Sequence, residues 1–285
     1  MHTTTEPVLR VSGLSARIGD LSLVKDVGFE VRSGRTLAVV GESGSGKSIT
    51  AAAVMGILPP QIRAEGSVFF DGTELLSEPA RRRRARGGAE IGYVFQEPMS
   101  ALHPLLRIGT QMIRPLRHHL GLSRGQARDR ALELLEQVGL GGERKVLDAY
   151  VHELSGGMRQ RVMIAMAISC GPRLLLADEP TTALDPTVQQ QILRLLVRLR
   201  EELDLALVLI SHDLGLVARY SDEVLVMYDG RVVEQGPTAQ IIEQPEQPYT
   251  RALIDAAPRL GRRVDRLPTI DRAVLDQTRA MAGGA

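Results

Sequence analysis

The octapeptide Gly41-Glu42-Ser43-Gly44-Ser45-Gly46-Lys47-Ser48 constrains the fold of this chain more than any other feature. It follows a continuous apolar run, Thr36–Val40, that is typical of a buried parallel strand, and it precedes a predicted helix, Ser48–Leu58. Glycines let the backbone curl so that successive N–H groups point at phosphate oxygens, and the helix N-terminus adds partial positive charge. Lys47 would then reach the β- and γ-phosphates, and the Ser48 hydroxyl would bind Mg²⁺. The sequence therefore predicts a phosphate-binding loop.

A second buried strand is predicted at Leu174–Ala177, and two acidic residues, Asp178 and Glu179, follow it directly. Sheets of α/β proteins place their ligands at the carboxyl ends of strands. We expect Asp178 to hold Mg²⁺, directly or through water, and Glu179 to polarise an attacking water. Two acids at the end of a strand usually begin a solvated loop, but their place after a phosphate loop favours a catalytic role.

Two weaker signals accompany these motifs. Ser155-Gly156-Gly157 begins the predicted helix Ser155–Ser169, where the helix N-terminus could bind a second anion, although the same tripeptide also begins many ordinary helices. His212 follows the predicted strand Ala206–Ile210 and could donate a hydrogen bond to a γ-phosphate, although a lone histidine there is more often structural. Both signals gain weight only from their neighbours.

The order of predicted elements indicates an α/β protein. Val8–Val11 and Leu21–Val31 read as strands around a turn, and a hairpin is predicted for Val224–Met227 and Arg231–Glu234 over Asp229-Gly230. Between these ends, strands alternate with helices, which favours a mostly parallel sheet covered on both faces. Helical patterns dominate from about residue 96 to residue 169, so we expect an inserted helical subdomain.

In their order and spacing, the motifs resemble the ATP-binding cassette ATPases over about residues 8–240. The matching segments are Gly41–Ser48, Val94-Phe95-Gln96-Glu97-Pro98, Leu154–Gln160, Asp178-Glu179, Ala183-Leu184-Asp185 and Ile210-Ser211-His212-Asp213. The resemblance implies a P-loop NTPase core with a mostly parallel sheet, an N-terminal antiparallel β subdomain and an inserted helical subdomain at about 97–170. It also implies a nucleotide-binding domain over 1–244 and a short C-terminal extension over 245–285.

The same resemblance implies a head-to-tail dimer of cassettes and a role for each matching residue. Ser155 and Gly157 of one subunit would cap the γ-phosphate held by the other, and Asp185 would lie across the interface. Catalytic roles fall to Glu179, His212 and Gln96, and Mg²⁺ binding to Ser48, Gln96 and Asp178. Residues that would bind ATP are Gly41, Glu42, Ser43, Gly44, Ser45, Gly46, Lys47, Ser48, Thr50, Ile18, Ser155, Gly156, Gly157 and Asp185. Cassettes usually stack an aromatic ring on adenine, whereas this chain offers Ile18 or Arg17 instead.

A narrower resemblance is to the importer subunits for peptides and nickel. It rests on the phosphate loop, Phe95–Pro104, Gly156–Arg161, Asp178–Asp185 and the tail segment Pro245–Leu253. It implies an ATP-hydrolysing subunit at the cytoplasmic face of the inner membrane, peripherally bound. Its implied partners are a second cassette, homologous or self, two integral membrane permease subunits and an extracytoplasmic substrate-binding protein. The groove that contacts the membrane subunits is expected near Gln96–Leu106 and the helical insertion, with Glu97 and Leu102 in that contact.

Composition narrows the remaining alternatives. Lys plus Arg number 35 and Asp plus Glu 34, so the chain is a poor candidate for binding nucleic acid, and the run Arg81–Arg84 is better read as a solvated charge run. A single cysteine, Cys170, leads us to expect no iron–sulfur cluster. No apolar run approaches the roughly 18 residues of a membrane span, and the N-terminus lacks a secretory pattern. The alternatives are a non-transport cassette ATPase acting on nucleic acid or the ribosome, and an exporter subunit, which the tail disfavours.

Overall fold

The computed structural model describes residues 6–141, 145–256 and Thr278. In chain order, its elements are β1 (Leu9–Ile18), β2 (Leu21–Val31), β3 (Thr36–Val40), α1 (Lys47–Met55), β4 (Ile62–Phe70), β5 (Thr73–Glu74), α2 (Ala80–Arg86), β6 (Ile91–Val94), α3 (Pro98–Ala101), α4 (Ile108–Leu120), α5 (Arg124–Gln137), α6 (Lys145–Asp148), α7 (Gly156–Ala167), β7 (Leu174–Asp178), α8 (Pro186–Leu203), β8 (Ala206–Ser211), α9 (Leu214–Val217), β9 (Glu223–Tyr228), β10 (Arg231–Pro237), α10 (Thr238–Glu243) and α11 (Pro248–Ala256). Internal contacts divide the described residues into one unit of 6–79 and 206–256 and another of 80–205.

The first unit contains two sets of strands. An antiparallel set has the order β2-β1-β4-β5, and a second set has the order β10-β9-β3-β8, in which β3 pairs in parallel with both β8 and β9. Every residue of β3 and β8 is buried, as expected for the centre of a parallel sheet. Because β3 and β8 run in parallel with Val40 opposite Ser211, the segments that follow them leave the sheet at the same edge.

The second unit pairs two parallel strands, β6 and β7, with Val94 opposite Ala177. Helices α2 to α8 make up most of the remaining residues of this unit. The longest, α8, has an apolar stripe of leucine and isoleucine residues that is buried, whereas its opposite face carries charged and polar residues. Helix α5 begins with a capping box, in which Ser123 Oγ accepts from the Gln126 N–H and Gln126 Oε1 accepts from the Ser123 N–H.

The α/β class, the parallel pairings and the antiparallel N-terminal sheet agree with the sequence-based prediction. The predicted hairpin over Asp229-Gly230 is present, with φ of +46° and +78° at these two residues, as a type I′ turn requires. The first strand continues beyond Val11 to Ile18, and α1 ends at Met55 because Gly56 adopts a φ of +73°. The sequence predicts no individual helix over Ile108–Leu120, where α4 lies with Pro115 in its interior.

The expected boundaries of the helical subdomain, 97–170, and of the C-terminal extension, 245–285, stay predictions. Apart from Thr278, the extension after Ala256 lies outside the described residues. Within the parts of the chain that the structure describes, none of the helices has the length and hydropathy needed to cross a bilayer.

Candidate functional site

The phosphate loop begins at Gly41, and its first residue is packed directly against β9. Gly41 has a φ of +150°, and a Cβ at this position would lie 2.1 Å from the Met227 carbonyl oxygen. Any side chain would therefore collide with the backbone of the neighbouring strand. Ser43, Gly44 and Ser48 are exposed on the loop, where a ligand can reach them.

Lys47 lies inside the loop that it helps to form. Its ammonium group donates hydrogen bonds to the carbonyl oxygens of Gly41 and Glu42, both over 2.8 Å, and to Ser45 Oγ over 3.3 Å. The residue is only 4% exposed. Thr50, one turn further along α1, is also buried, and its hydroxyl donates to the Gly46 carbonyl oxygen over 3.0 Å. The predicted phosphate-binding lysine therefore has its charge surrounded by loop oxygens.

The turn between β9 and β10 supports the loop from a second side. The Gly230 N–H donates to the Ser45 carbonyl oxygen over 3.1 Å, and the Gly230 carbonyl oxygen accepts from the Lys25 N–H over 2.7 Å. Lys25 Nζ also forms an ion pair with Asp229 over 2.9 Å. A Cβ at Gly230 would lie 2.7 Å from the Leu23 carbonyl oxygen, so the turn fits against β2 only with glycine here. This contact was not expected from the sequence.

A tyrosine from the tail also contacts the loop. The Tyr249 hydroxyl accepts a hydrogen bond from the Glu42 N–H over 3.1 Å, and its ring packs against Tyr228 with centroids 4.7 Å apart. Burial raises the pKa of Tyr249, so the phenol stays protonated at physiological pH. The tail segment was recognised in the sequence, but nothing local indicated that this side chain touches the phosphate loop.

His212 lies at the same edge of the sheet as the loop. It is exposed on the turn after β8, and the pairing of Val40 with Ser211 places the start of this turn beside the start of the loop. Ser211 Oγ accepts from the Asp213 N–H over 3.0 Å, and Asp213 caps α9 through the Leu216 N–H over 2.9 Å. These bonds fix the backbone on the C-terminal side of His212.

The acidic pair belongs to the other unit and ends β7. Asp178 is buried, and its Oδ2 accepts a hydrogen bond from the Tyr93 hydroxyl over 3.0 Å. Burial raises the pKa of Tyr93, and the charge of Asp178 raises it further. Tyr93 therefore remains a donor that orients the carboxylate. Tyr93 is not among the residues singled out from the sequence, and its place on the strand that leads to Gln96 does not identify Asp178 as its partner.

Glu179 and Gln96 are brought together because they follow the paired strands β7 and β6. Gln96 Nε2 donates to Glu179 Oε2 over 3.1 Å, and Thr182 Oγ1 donates to the same oxygen over 2.8 Å. Glu179 has a φ of +45°, a conformation that costs free energy for a residue with a Cβ. Two hydrogen-bond donors thus orient the Glu179 carboxylate, and the backbone of Glu179 itself is strained.

Ser155 and Asp185 each cap a helix of their own chain. Ser155 Oγ accepts from the Met158 N–H at the start of α7 over 3.3 Å, and Asp185 Oδ1 accepts from the Thr187 and Val188 N–H groups at the start of α8, over 3.1 and 3.0 Å. A Cβ at Gly157 would lie 3.0 Å from Val188 Cγ1, so the two helix starts are in close contact. The Ser155-Gly156 peptide is exposed there.

The expected base contact lies at the end of β1. Ile18 is exposed, which leaves its side chain available to a ligand. Arg17, the other side chain considered, forms an ion pair with Glu65 over 3.1 Å. Of the two, Ile18 is therefore better placed to present a surface to a base.

The segment after Gln96 differs from the expectation in one residue. Glu97 is exposed, as a surface contact requires, but Leu102, at the end of α3, is only 2% exposed. The prediction that Leu102 faces a membrane subunit is therefore wrong. Phe95, Met99 and Leu105 are the exposed apolar residues here, and Leu105 is 79% exposed. We call these three residues the apolar patch.

Comparison with known proteins finds two family models along the chain. One, described as ABC transporter, matches residues 24–182, and the other, described as oligopeptide/dipeptide transporter, C-terminal region, matches residues 233–284. The oligopeptide transport ATP-binding protein OppD of Salmonella typhimurium is 48% identical over 242 residues, covering 85% of this chain and 72% of its own. The dipeptide transport ATP-binding protein DppD of Escherichia coli is 44% identical over 273 residues, covering 94% and 83%.

Comparison with solved structures also finds proteins similar to this chain. The dimeric post-hydrolysis structure of the ATP-binding cassette MJ0796, bound to ADP and Pi, aligns with a TM-score of 0.72 at 28% identity, covering 81% of this chain and 98% of that one. The structure of cbiO1 from Clostridium perfringens, part of the transporter complex cbiONQ, aligns with a TM-score of 0.72 at 29% identity, covering 87% and 95%. The expected P-loop NTPase fold is confirmed.

Proposed function

Because this chain belongs to the ABC transporter family, we propose that it hydrolyses ATP as a subunit of a peptide import complex. The observation that carries the proposal is the oriented carboxylate of Glu179, held by Gln96 and Thr182, in a chain with a complete phosphate loop. The two hydrogen bonds that Glu179 Oε2 accepts support a role for this carboxylate in orienting a water for hydrolysis.

The phosphate loop is proposed to bind the triphosphate of ATP. The loop N–H groups and the start of α1 would surround the phosphate oxygens, and the Lys47 ammonium would exchange part of its bonding to Gly41 and Glu42 for the β- and γ-phosphates. This exchange costs little, because one set of oxygen acceptors replaces another. The exposed Ile18 would contact the base.

The residues assigned to Mg²⁺ suit that ion. Ser48 supplies a hydroxyl, Gln96 an amide oxygen and Asp178 a carboxylate, which are the hard oxygen ligands that Mg²⁺ prefers together with substrate phosphates. Asp178 is 5% exposed and is fixed by the Tyr93 hydroxyl on one oxygen, as a ligand or a partner of bound water should be. When bound, Mg²⁺ would neutralise charge that develops on the phosphates.

Glu179 is proposed to orient the attacking water and to polarise its O–H bond. Its two donors, Gln96 and Thr182, both bind Oε2 and so set the direction of the carboxylate. His212 is proposed to donate to the γ-phosphate from its exposed turn. Together these residues would promote in-line attack on the γ-phosphate without a covalent enzyme intermediate.

The proposed assembly contains a second cassette, homologous or self. Ser155, Gly156 and Gly157 of one cassette would contact the γ-phosphate held by the other, and Asp185 would lie at their interface. The exposure of the Ser155-Gly156 peptide at the start of α7 supports this arrangement. Within the chain, we propose a nucleotide-binding domain over 1–244, with its helical subdomain at about 97–170, and an extension over 245–285.

Two integral membrane permease subunits are the other proposed partners, with an extracytoplasmic binding protein in the full complex. The apolar patch supports a contact with a permease, because it exposes three large apolar side chains within eleven residues beside Gln96. Binding there would hold the chain at the cytoplasmic face of the inner membrane. A movement transmitted through this segment would reach Glu179 through its bond to Gln96.

Peptides are the proposed cargo. The relatives OppD and DppD are named for oligopeptide and dipeptide transport, and the match over residues 233–284 has the same association. Neither of these two relatives is named for nickel transport. A non-transport ATPase acting on nucleic acid or the ribosome is the remaining alternative class.

One experiment separates these classes. The tagged chain is expressed in its own cells, membranes are solubilised in detergent, and the captured complex is analysed for its subunits and for ATP hydrolysis with and without peptide-loaded binding protein. We expect two integral membrane proteins and hydrolysis that rises with di- or oligopeptides but not with Ni²⁺. Capture of ribosomes or nucleic acid without membrane proteins would contradict the proposal. A Glu179→Gln complex provides the matched inactive control.

A further inference from the structure

The strongest unassigned contact joins the tail to the phosphate loop. Tyr249 in α11 is 0% exposed, and its hydroxyl accepts the Glu42 N–H over 3.1 Å. The two residues are 207 positions apart in the sequence. No function described above uses this contact.

The peptide group between Gly41 and Glu42 forms hydrogen bonds through both its carbonyl oxygen and its N–H group. Its carbonyl oxygen, on Gly41, accepts from the Lys47 ammonium over 2.8 Å, and its N–H, on Glu42, donates to Tyr249. Hydrogen bonds at the two ends of one amide strengthen each other, because each increases the polarisation of the group. Tyr249 and Lys47 are therefore linked through a single peptide plane.

This peptide plane has little freedom to rotate. Gly41 is in contact with the backbone of β9, where a Cβ would lie 2.1 Å from the Met227 carbonyl oxygen. A rotation of the plane that removed the N–H from Tyr249 would also turn the Gly41 carbonyl oxygen away from Lys47. The hydroxyl thus fixes the orientation of the plane to which the lysine is bonded.

Helix α11 is itself held in place, so that Tyr249 is a fixed support. The Glu234 carboxylate on β10 accepts the N–H groups of Glu246 and Gln247 over 2.8 and 3.1 Å, just before the helix starts. Arg251 Nε donates back to the Pro245 carbonyl oxygen over 2.9 Å. The ring of Tyr228 packs against Tyr249 from β9.

From these contacts we infer that Tyr249 is a positioning residue for nucleotide binding: its hydroxyl orients the Gly41–Glu42 peptide and thereby the Lys47 ammonium that receives the phosphates. The tail helix thus sets the ATP affinity of the loop. The inference rests on the proposed function for the identity of the ligand, and on the hydrogen bonds alone for the linkage.

The test compares two hydroxyl deletions from the same buried helix. Tyr249→Phe removes the group that contacts the loop. Thr250→Val is the matched control, because Thr250 is also 0% exposed and its hydroxyl has no hydrogen-bond partner among the described residues. Both variants are made in the full chain, and ATP dissociation constants, KM, kcat and thermal unfolding midpoints are measured.

We expect Tyr249→Phe to weaken ATP binding about three- to tenfold, the range that loss of one hydrogen bond of about 0.7–1.4 kcal/mol produces. KM should rise more than kcat falls, since Glu179 is untouched. Thr250→Val should keep ATP affinity within about twofold of the wild type. In a Lys47→Ala background, Tyr249→Phe should cause little further loss, because the group that it positions is gone.

Three results would overturn the inference. They are wild-type ATP affinity in Tyr249→Phe, an equal loss in Thr250→Val, and a full additional loss from Tyr249→Phe in the Lys47→Ala background. The last would show that the tyrosine acts on the loop independently of the lysine. A wild-type protein that fails to bind ATP would instead contradict the proposed function, so the two failures are distinguishable.

Discussion

Gln96 donates its side-chain amide hydrogen to the carboxylate of Glu179 over 3.1 Å. The two residues are 83 positions apart and meet because each follows one of two adjacent parallel strands. The exposed apolar patch begins immediately beside Gln96. A displacement of this segment would therefore alter one of the two hydrogen bonds that orient Glu179.

Replacement of Glu179 by glutamine should stop hydrolysis and retain ATP binding. The amide keeps the size of the side chain but cannot draw a proton from water, so the turnover rate should fall by about 100-fold or more. The protein should then accumulate as an ATP-bound closed dimer, measurable by size-exclusion chromatography with ATP. Thr182→Val, which removes one donor to the carboxylate, should reduce the rate less. Unchanged turnover in Glu179→Gln would assign water activation to another group.

Loss of the Lys47 ammonium should abolish hydrolysis and weaken ATP binding. In Lys47→Ala the triphosphate loses its charge partner, and the Gly41 and Glu42 carbonyl oxygens lose their shared donor. Calorimetric titration with ATP should give at least about a tenfold higher dissociation constant. Lys145→Ala, an exposed lysine on α6, is the charge-matched control. Wild-type hydrolysis by Lys47→Ala would remove the loop from the proposed site.

Substitutions of the exposed Leu105 and of the buried Leu102 should have different effects. Leu105→Ser should reduce recovery of the membrane subunits and leave ATP affinity unchanged, because Leu105 is 79% exposed. Leu102→Ala should instead lower the free energy of unfolding by about 2–5 kcal/mol, because a buried side chain is removed. Co-purification and thermal unfolding distinguish the two. If Leu105→Ser recovers the full complex, the patch is not the contact surface.

The base should be held weakly. Ile18 offers only apolar contact, and Arg17 is engaged by Glu65, so we expect little discrimination among ATP, GTP and CTP. An aromatic ring that stacks on the base contributes about 1–3 kcal/mol, so Ile18→Tyr should raise ATP affinity about fivefold or more. Leu120→Tyr, at another exposed apolar position, is the control. Strong ATP preference in the wild type, unaltered by Ile18→Tyr, would place the base elsewhere.

Tyr93 should support Mg²⁺ binding through Asp178 at every assay pH. Because burial and the Asp178 charge raise the pKa of Tyr93, the phenol remains protonated and donating. Tyr93→Phe should therefore raise the Mg²⁺ concentration needed for half-maximal hydrolysis severalfold, by a ratio that is constant from about pH 6 to about pH 9. A ratio that changed over this range would show that the tyrosine titrates.

The parts of the site that were predictable from the sequence are those encoded locally. The phosphate loop follows a strand whose five residues are all buried, and the acidic pair lies at the end of another buried strand, so the apolar runs and the glycine spacing were sufficient signals. The antiparallel start and the Asp229-Gly230 turn were likewise readable from short patterns.

The contacts that could not be predicted join distant positions or depend on side-chain direction. Tyr249 meets Glu42 across 207 residues, and Tyr93 meets Asp178 across 85, and no local pattern encodes such pairs. Leu102 and Leu105 are three residues apart in an irregular stretch, where no periodicity indicates which side chain turns inward. Their opposite exposure results from packing of the whole chain.

The tight turn at Gly230 should make the hairpin between β9 and β10 intolerant of inserted residues. Two-residue hairpin turns at a protein surface are ordinarily good places to lengthen a chain, to insert an epitope or to join permuted termini. Here the turn is clamped between the Ser45 carbonyl oxygen and the backbone of β2, through the Gly230 N–H and carbonyl groups. One inserted residue would displace the support beneath the phosphate loop, so fluorescent labels and fusion partners should be attached at other hairpins.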